Sequence, residues 1–243
     1  MQARGCVLAA GKGSRMGGHF PKVLVEAGGK PLIHWVLSTL AEASVSPVTS
    51  VVGFQKDTVI AALPAGVLWA EQAQQLGTGH ALLCAEASFA GFSGTILVTC
   101  GDAPCFRAET FRSLVETHCT SGAAATVLTA RVAPPHRYGR IVRGADGGVA
   151  RIVEAADATP EELAIDEINT GVYCFEAPLV FQMLRRVRNE NGQGEYYLPD
   201  VLVELLRDGR AVRAVVLKDN DETLGVNSPE DLARVEKVLA GRK

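Results

Sequence analysis

Residues 8 to 22 read Leu-Ala-Ala-Gly-Lys-Gly-Ser-Arg-Met-Gly-Gly-His-Phe-Pro-Lys, in which the apolar run Cys6-Val7-Leu8-Ala9-Ala10 stops at Gly11. Glycines let a backbone turn tightly and approach a ligand closely. Their N–H groups can face an anion. Arg15 offers a planar fork for phosphate oxygens, and Lys22 offers a point charge. The stretch could therefore grip a polyphosphate. It is not a P-loop, because no Gly-x-x-x-x-Gly-Lys-Ser/Thr spacing occurs. Nor is it a dinucleotide fingerprint, since Met16 stands where the third glycine of Gly-x-Gly-x-x-Gly belongs. A plain surface loop between strand and helix remains open at this point.

Other groups could complete a site. Asp102 follows Thr95-Ile96-Leu97-Val98-Thr99-Cys100-Gly101, so it stands at the carboxyl end of an apolar strand. One carboxylate plus phosphate oxygens suits Mg2+. A turn aspartate capping the next helix is the alternative. Gln72 precedes Gln75-Leu76-Gly77-Thr78-Gly79-His80-Ala81, and its amide can pair with a nucleobase edge. That segment also reads as an ordinary strand–helix loop. Tyr138-Gly139-Arg140-Ile141, Ile152-Val153-Glu154, Ile168-Asn169-Thr170-Gly171 and Gly192-Gln193-Gly194-Glu195-Tyr196-Tyr197 each join polar groups to a glycine or a strand edge. A hydroxyl-rich ligand needs several such groups converging. In Gly225-Val226-Asn227, Asn227 could lend a neutral oxygen to a metal or merely bridge a turn.

These residues need a scaffold, and the composition supplies one. The chain has 243 residues, 47% of them hydrophobic, and a net charge of −3. That is enough for a sizeable core and gives no basic field for nucleic acid or a membrane surface. No apolar run approaches the roughly 20 residues needed to span a bilayer. The N-terminus lacks a signal peptide's apolar stretch, so the expected location is cytoplasmic. Six cysteines form no Cys-x-x-Cys, and five histidines show no metal-ligand spacing. The cysteines read as small buried hydrophobes, and His34 and His118 as structural.

Strands are expected at 5–10, 48–54, 67–70, 95–100 and 124–132, with helices at 31–43, 56–63, 78–88 and 107–119 between them. This alternation implies an α/β fold with a mostly parallel sheet covered on both faces. Ligands then bind beyond the carboxyl ends of the strands. The second half is less regular. Strands at 139–143 and 149–154 flank Asp146-Gly147-Gly148 as a hairpin. A strand at 169–176, helices at 178–188 and 198–207, and a strand at 212–218 follow. A last helix at 228–240 begins with the cap Ser228-Pro229-Glu230. Segment 133–200 reads as a lobe inserted into the frame.

Taken in order, these segments resemble the uridyltransferase domain of bacterial N-acetylglucosamine-1-phosphate uridyltransferases, within the sugar-phosphate nucleotidyltransferases. The loop Leu8–Lys22 is common to that superfamily. Residues 75–81, 138–141, Glu167-Ile168-Asn169-Thr170-Gly171 and 193–200 are more specific to it. The resemblance runs from Leu8 to Asn227. It implies a Rossmann-like, mixed, mostly parallel sheet flanked by helices, with an inserted sugar-binding lobe. Residues 1–243 would form one nucleotidyltransferase domain. Within it, 1–132 would bind nucleotide, 133–200 would bind sugar, and 201–243 would close the frame.

The resemblance also implies roles. Ala10, Gly11, Lys12, Gly13 and Gly101 would line the nucleotide site. Arg15 and Lys22 would hold the triphosphate and, with Asp102, carry catalysis. Gln72, Gly77 and Thr78 would read uracil and ribose. Asp102 and Asn227 would hold Mg2+. Gly139, Glu154 and Asn169, with Asn227, would meet the N-acetylglucosamine moiety. The implied reaction joins UTP and N-acetylglucosamine 1-phosphate into UDP-N-acetylglucosamine and pyrophosphate.

Two departures stand out. The family carries a lysine just before the aspartate after Glu154, whereas this chain reads Glu154-Ala155-Ala156-Asp157. A different sugar phosphate, or a thymidine nucleotide, therefore stays open, as does a non-catalytic nucleotide-sugar-binding module. The full family enzyme also continues into a hexapeptide-repeat β-helix. No such repeat follows here, so neither acetyl transfer nor a trimer built through it is expected.

Overall fold

The computed structural model describes residues 2–13, 18–134 and 136–242. In chain order the first elements are β1 (Ala3–Ala9), β2 (Glu26–Ala27), β3 (Lys30–Pro31), α1 (Leu32–Glu42), β4 (Val48–Val52), α2 (Lys56–Ala62) and β5 (Leu68–Glu71). Next come α3 (Thr78–Cys84), β6 (Thr95–Cys100), α4 (Ala108–Ser121), β7 (Ala125–Arg131), β8 (Arg140–Arg143) and β9 (Val149–Val153). The last are α5 (Pro160–Leu163), β10 (Glu167–Glu176), α6 (Leu179–Leu184), α7 (Asp200–Arg207), β11 (Val212–Val216) and α8 (Pro229–Ala240).

The main sheet runs β11-β7-β10-β6-β1-β4-β5, and the hairpin β8–β9 hangs from β10. β10 is antiparallel to both β6 and β7, while β1–β4, β1–β6, β4–β5 and β7–β11 are parallel. The sheet is therefore mixed and mostly parallel. The expected lobe at 133–200 is not wholly outside this frame, since β10 lies near the sheet's centre.

Period-2 alternation sends neighbouring residues to opposite faces, and both faces are apolar. Ile96, Val98, Tyr173 and Phe175 face one core with Leu82 of α3, Phe181 of α6 and Leu202 of α7. Leu97, Val172 and Cys174 face the other, with Ile33, Leu37 and Leu40 of α1 and Phe111 and Leu114 of α4. Each fully buried Leu, Ile or Phe contributes about 1.5–3 kcal/mol relative to exposure. α8 closes a third cluster with Val226, Val235 and Leu239. Ser228 caps it as the sequence indicates, accepting from Asp231 N–H at 3.2 Å.

Two expectations needed adjustment, and two short elements were not anticipated. The helix expected at 78–88 splits into α3 and a short 3-10 turn over Glu86–Phe89. The strand expected from Asn169 begins at Glu167 and carries a bulge between Asn169 and Val172. The two-residue hairpin β2–β3 and the four-residue α5 were not anticipated, being too short to show a period. α5 is marked by a capping box at Thr159 and Glu162.

Candidate active site

Strand register assembles the first half of the site. Ala9 pairs with Val52, and Val52 pairs with Glu71. The next residue of each strand therefore lands in one row, which places Ala10, Gly53 and Gln72 side by side. The packing there is tight. A Cβ on Gly53 would lie 2.9 Å from Ala10 Cβ and 2.7 Å from Gln75 Nε2. Gly53 was missed in the sequence, where only a glycine closing an apolar strand signals it.

Ala10, Gly11, Gly13, Lys22, Gln72, Gly77, Thr78 and Asp102 line a cleft of about 260 Å3 at these strand ends. Gln75, Cys100 and Glu195 line it too. Lys12 is exposed and does not line it. Gly101 packs behind it: its N–H donates to Leu8 O at 2.9 Å, and an added Cβ would meet Val23 at 3.1 Å. Gly13, at φ +62°, lies so close to Lys22 that a Cβ would stand 2.7 Å from the lysine's own Cβ. Arg15 lies outside the described residues.

Gln72 is only 3% exposed. Its Nε2 donates to Gly77 O at 2.9 Å and stands 3.1 Å from His80 Nδ1. Both amide protons are thereby engaged inside the protein, so the group offered to a ligand is the carboxamide oxygen.

At the cleft's other end, Lys22 Nζ is ion-paired with Asp102. The same ammonium donates to Asn227 Oδ1 at 3.1 Å. Backbone brings these distant residues together, since Val226 N–H donates to Asp102 O at 3.0 Å. A carboxylate oxygen and an amide oxygen thus converge on one small cation. Such a hard-oxygen pair fits a divalent ion that completes its shell with phosphate oxygens and water. Among the described residues no three His, Cys, Asp or Glu side chains converge, so the protein's share of such a shell is small.

Gly139, Glu154 and Asn169 form a second cluster, again by register. Arg140 pairs with both Val153 and Ile168. Asn169 N–H donates to Gly139 O at 2.8 Å, and a Cβ on Gly139 would lie 3.0 Å from Glu154 Oε1. Burial, with the charges of Asp200 and Asp157, raises the Glu154 pKa. The cluster adjoins the cleft, since a Cβ on Gly171 would lie 3.5 Å from Cys100 Sγ. Asn227 serves the Lys22–Asp102 end and makes no hydrogen bond to this cluster.

Two motifs far apart in sequence prove to be one structure. Tyr196 N–H donates to Leu76 O, and Gly79 N–H donates to Tyr196 O, each at 2.8 Å. Leu198 N–H donates to Thr78 Oγ1 at 3.0 Å. Segments 75–81 and 193–200 therefore dock on each other beside the cleft, which Gly77, Thr78 and Glu195 line.

Asp200, which opens α7, is pushed up to about 6 by burial and then by Asp157 and Glu204. An unfolded aspartate titrates near about 3.9. Between these values the folded chain binds a proton that the unfolded chain has released, so this group favours folding as pH falls through 6. Buried His118, pushed down to about 4 by burial, acts in the opposite direction below 6.5. The test is therefore a variant-minus-parent difference. Asp200→Asn is expected to melt higher than the parent at about pH 7.5, and the gap is expected to narrow by about pH 5. Scanning calorimetry at the two pH values decides it; a gap that does not narrow contradicts the assignment.

The chain belongs to the family of MobA-like NTP transferase domains, whose sequence model matches residues 5–195. Its curated relatives include the bifunctional protein GlmU of Pelobacter propionicus, 44% identical over 97% of this chain and 52% of that one. GlmU of Limosilactobacillus fermentum is 46% identical over the same shares, 97% and 52%. GlmU of Pelotomaculum thermopropionicum is 43% identical over 100% of this chain and 53% of its own length. The chain thus spans about half the length of these relatives. A crystal structure of UDP-glucose pyrophosphorylase complexed with UDP-glucose superposes with a TM-score of 0.82 at 19% identity, covering 100% of both chains. It shares the fold. Among the described residues no helix is long and apolar enough to cross a membrane.

Proposed function

We propose that this chain is a sugar-1-phosphate nucleotidyltransferase that makes UDP-N-acetylglucosamine and pyrophosphate from UTP and N-acetylglucosamine 1-phosphate. The observation that carries the reading is the single cleft whose ends differ in chemistry. One end offers the Gln72 oxygen beside Ala10 and Gly53. The other offers Lys22 with Asp102 and Asn227. The Gly139–Glu154–Asn169 cluster adjoins it. The GlmU relatives support the same reading.

The Gln72 oxygen suits a base that donates an imide N–H, as uracil and thymine do and cytosine does not. A phosphate oxygen of the sugar phosphate bonds to the α-phosphorus. The bond from that phosphorus to the bridging oxygen breaks in line, and pyrophosphate leaves with the electron pair. Such transfers are catalysed by positioning and charge stabilisation, so no protein nucleophile is needed. Lys22 neutralises oxygens of the triphosphate, and Arg15 is assigned the same task from the sequence. Asp102 and Asn227 would hold Mg2+, which when bound neutralises phosphate charge. Glu154 and the Asn169 amide hold the sugar.

Ala156, in place of the family's lysine, keeps a second reading in play: another sugar 1-phosphate, or thymidine triphosphate. Pyrophosphate release measured over a panel of nucleoside triphosphates and sugar 1-phosphates, with and without Mg2+, separates these readings. Highest kcat/KM for UTP with N-acetylglucosamine 1-phosphate, lost on chelation, is expected. A different best pair moves the assignment to that pair, and no release with any pair points to a binding module.

A further inference from the structure

The bulge in β10 falls between Asn169, which still pairs with Thr129, and Val172, and groups on and just beyond it fix the Asn169 carboxamide from two sides. Gly171, at φ +79°, donates its N–H to Asn169 Oδ1 at 3.0 Å. The Tyr173 hydroxyl donates to the same oxygen at 2.8 Å. Tyr173 is 2% exposed, and its ring stacks on Phe175 with centroids 5.4 Å apart. Both lone pairs of the Asn169 oxygen are thereby taken within the protein. Turning the amide over would set its N–H groups against the Gly171 N–H. Its Nδ2 group has no protein acceptor among the described residues, so Asn169 presents only donors to a ligand.

We infer that Tyr173 is a positioning residue that locks this orientation, so that Asn169 meets the sugar as a donor only. The inference rests on reading the Gly139–Glu154–Asn169 cluster as the sugar subsite. Burial holds the Tyr173 phenol well above its usual range, so it remains a donor throughout the working pH.

Tyr173→Phe keeps the ring and removes the donor. The KM for N-acetylglucosamine 1-phosphate is expected to rise about fivefold to tenfold, the loss of one neutral hydrogen bond. The KM for UTP is expected to stay within about twofold. Calorimetric titration of UDP-N-acetylglucosamine into parent and variant gives a second readout that needs no turnover. A parent that binds while the variant shows the same KM and Kd overturns the role of Tyr173 alone. Both KM values rising together make Tyr173 merely structural and overturn it as well. A parent that binds no nucleotide sugar overturns the functional reading and this inference with it.

Discussion

Asp102→Asn is expected to lower turnover by about 10²–10³-fold, the usual scale for removing one group that stabilises transition-state charge. The substitution removes the anion that pairs with Lys22 and contributes half of the oxygen pair meeting Asn227. Two polyanions must approach each other in the proposed reaction, so this end of the cleft has the most charge to manage. The fold is expected to survive. The backbone oxygen of Asp102, which accepts from Val226 N–H, is untouched, and that bond keeps Asn227 at the start of α8. Initial rates of pyrophosphate release, with circular dichroism and melting curves as controls, check this. A folded variant within about tenfold of the parent rate would remove Asp102 from the catalytic set.

Gly77→Ala is expected to act through structure and to be strongly damaging. Gly77 sits at φ +107°, where an L side chain is strained, and its Cβ would lie 2.6 Å from Tyr196 O and 2.8 Å from Tyr196 N. Backbone cannot yield as a side-chain tip does. Strain of this kind costs about 1–3 kcal/mol. Forced overpacking adds a similar 1–3 kcal/mol. In a domain of this size each kcal/mol shifts the melting temperature by about 2–4 °C, so a fall near 10 °C is expected. The KM values for both proposed substrates are expected to rise, since Gly77 stands where the cleft meets segment 193–200. A fall of under about 2 °C would show that the two segments separate easily.

This glycine shows how differently parts of the molecule were legible. Gly77 reads in the sequence as a loop glycine, or by resemblance as a ribose contact. Its closest neighbours are the backbone atoms of Tyr196, and nothing local announces them. Gln72 was legible as a candidate for reading a base, but which end of its amide faces outward depends on Gly77 O and His80. Asn169 was recognisable too, while its donor-only character depends on Tyr173 and a bulge. Gly53 escaped because a bare glycine after a strand is a common feature, and Glu195, though part of a segment singled out in the sequence, carried no signal of its own for the cleft.

What the sequence determined by itself was local and periodic. Alternating apolar runs specified strands, the three-to-four spacing of Ile33, Val36, Leu37 and Leu40 specified α1, and Ser228-Pro229 specified the start of α8. These signals are legible because a side chain's face depends only on its place in a short repeat. Tertiary structure alone decided that β10 runs antiparallel through the sheet's centre. It alone aligned Ala10, Gly53 and Gln72 in one row, and it brought Lys22, Asp102 and Asn227 to one point. Those outcomes depend on which distant backbone groups pair, and a shift of one residue in register would turn each site residue to the opposite face.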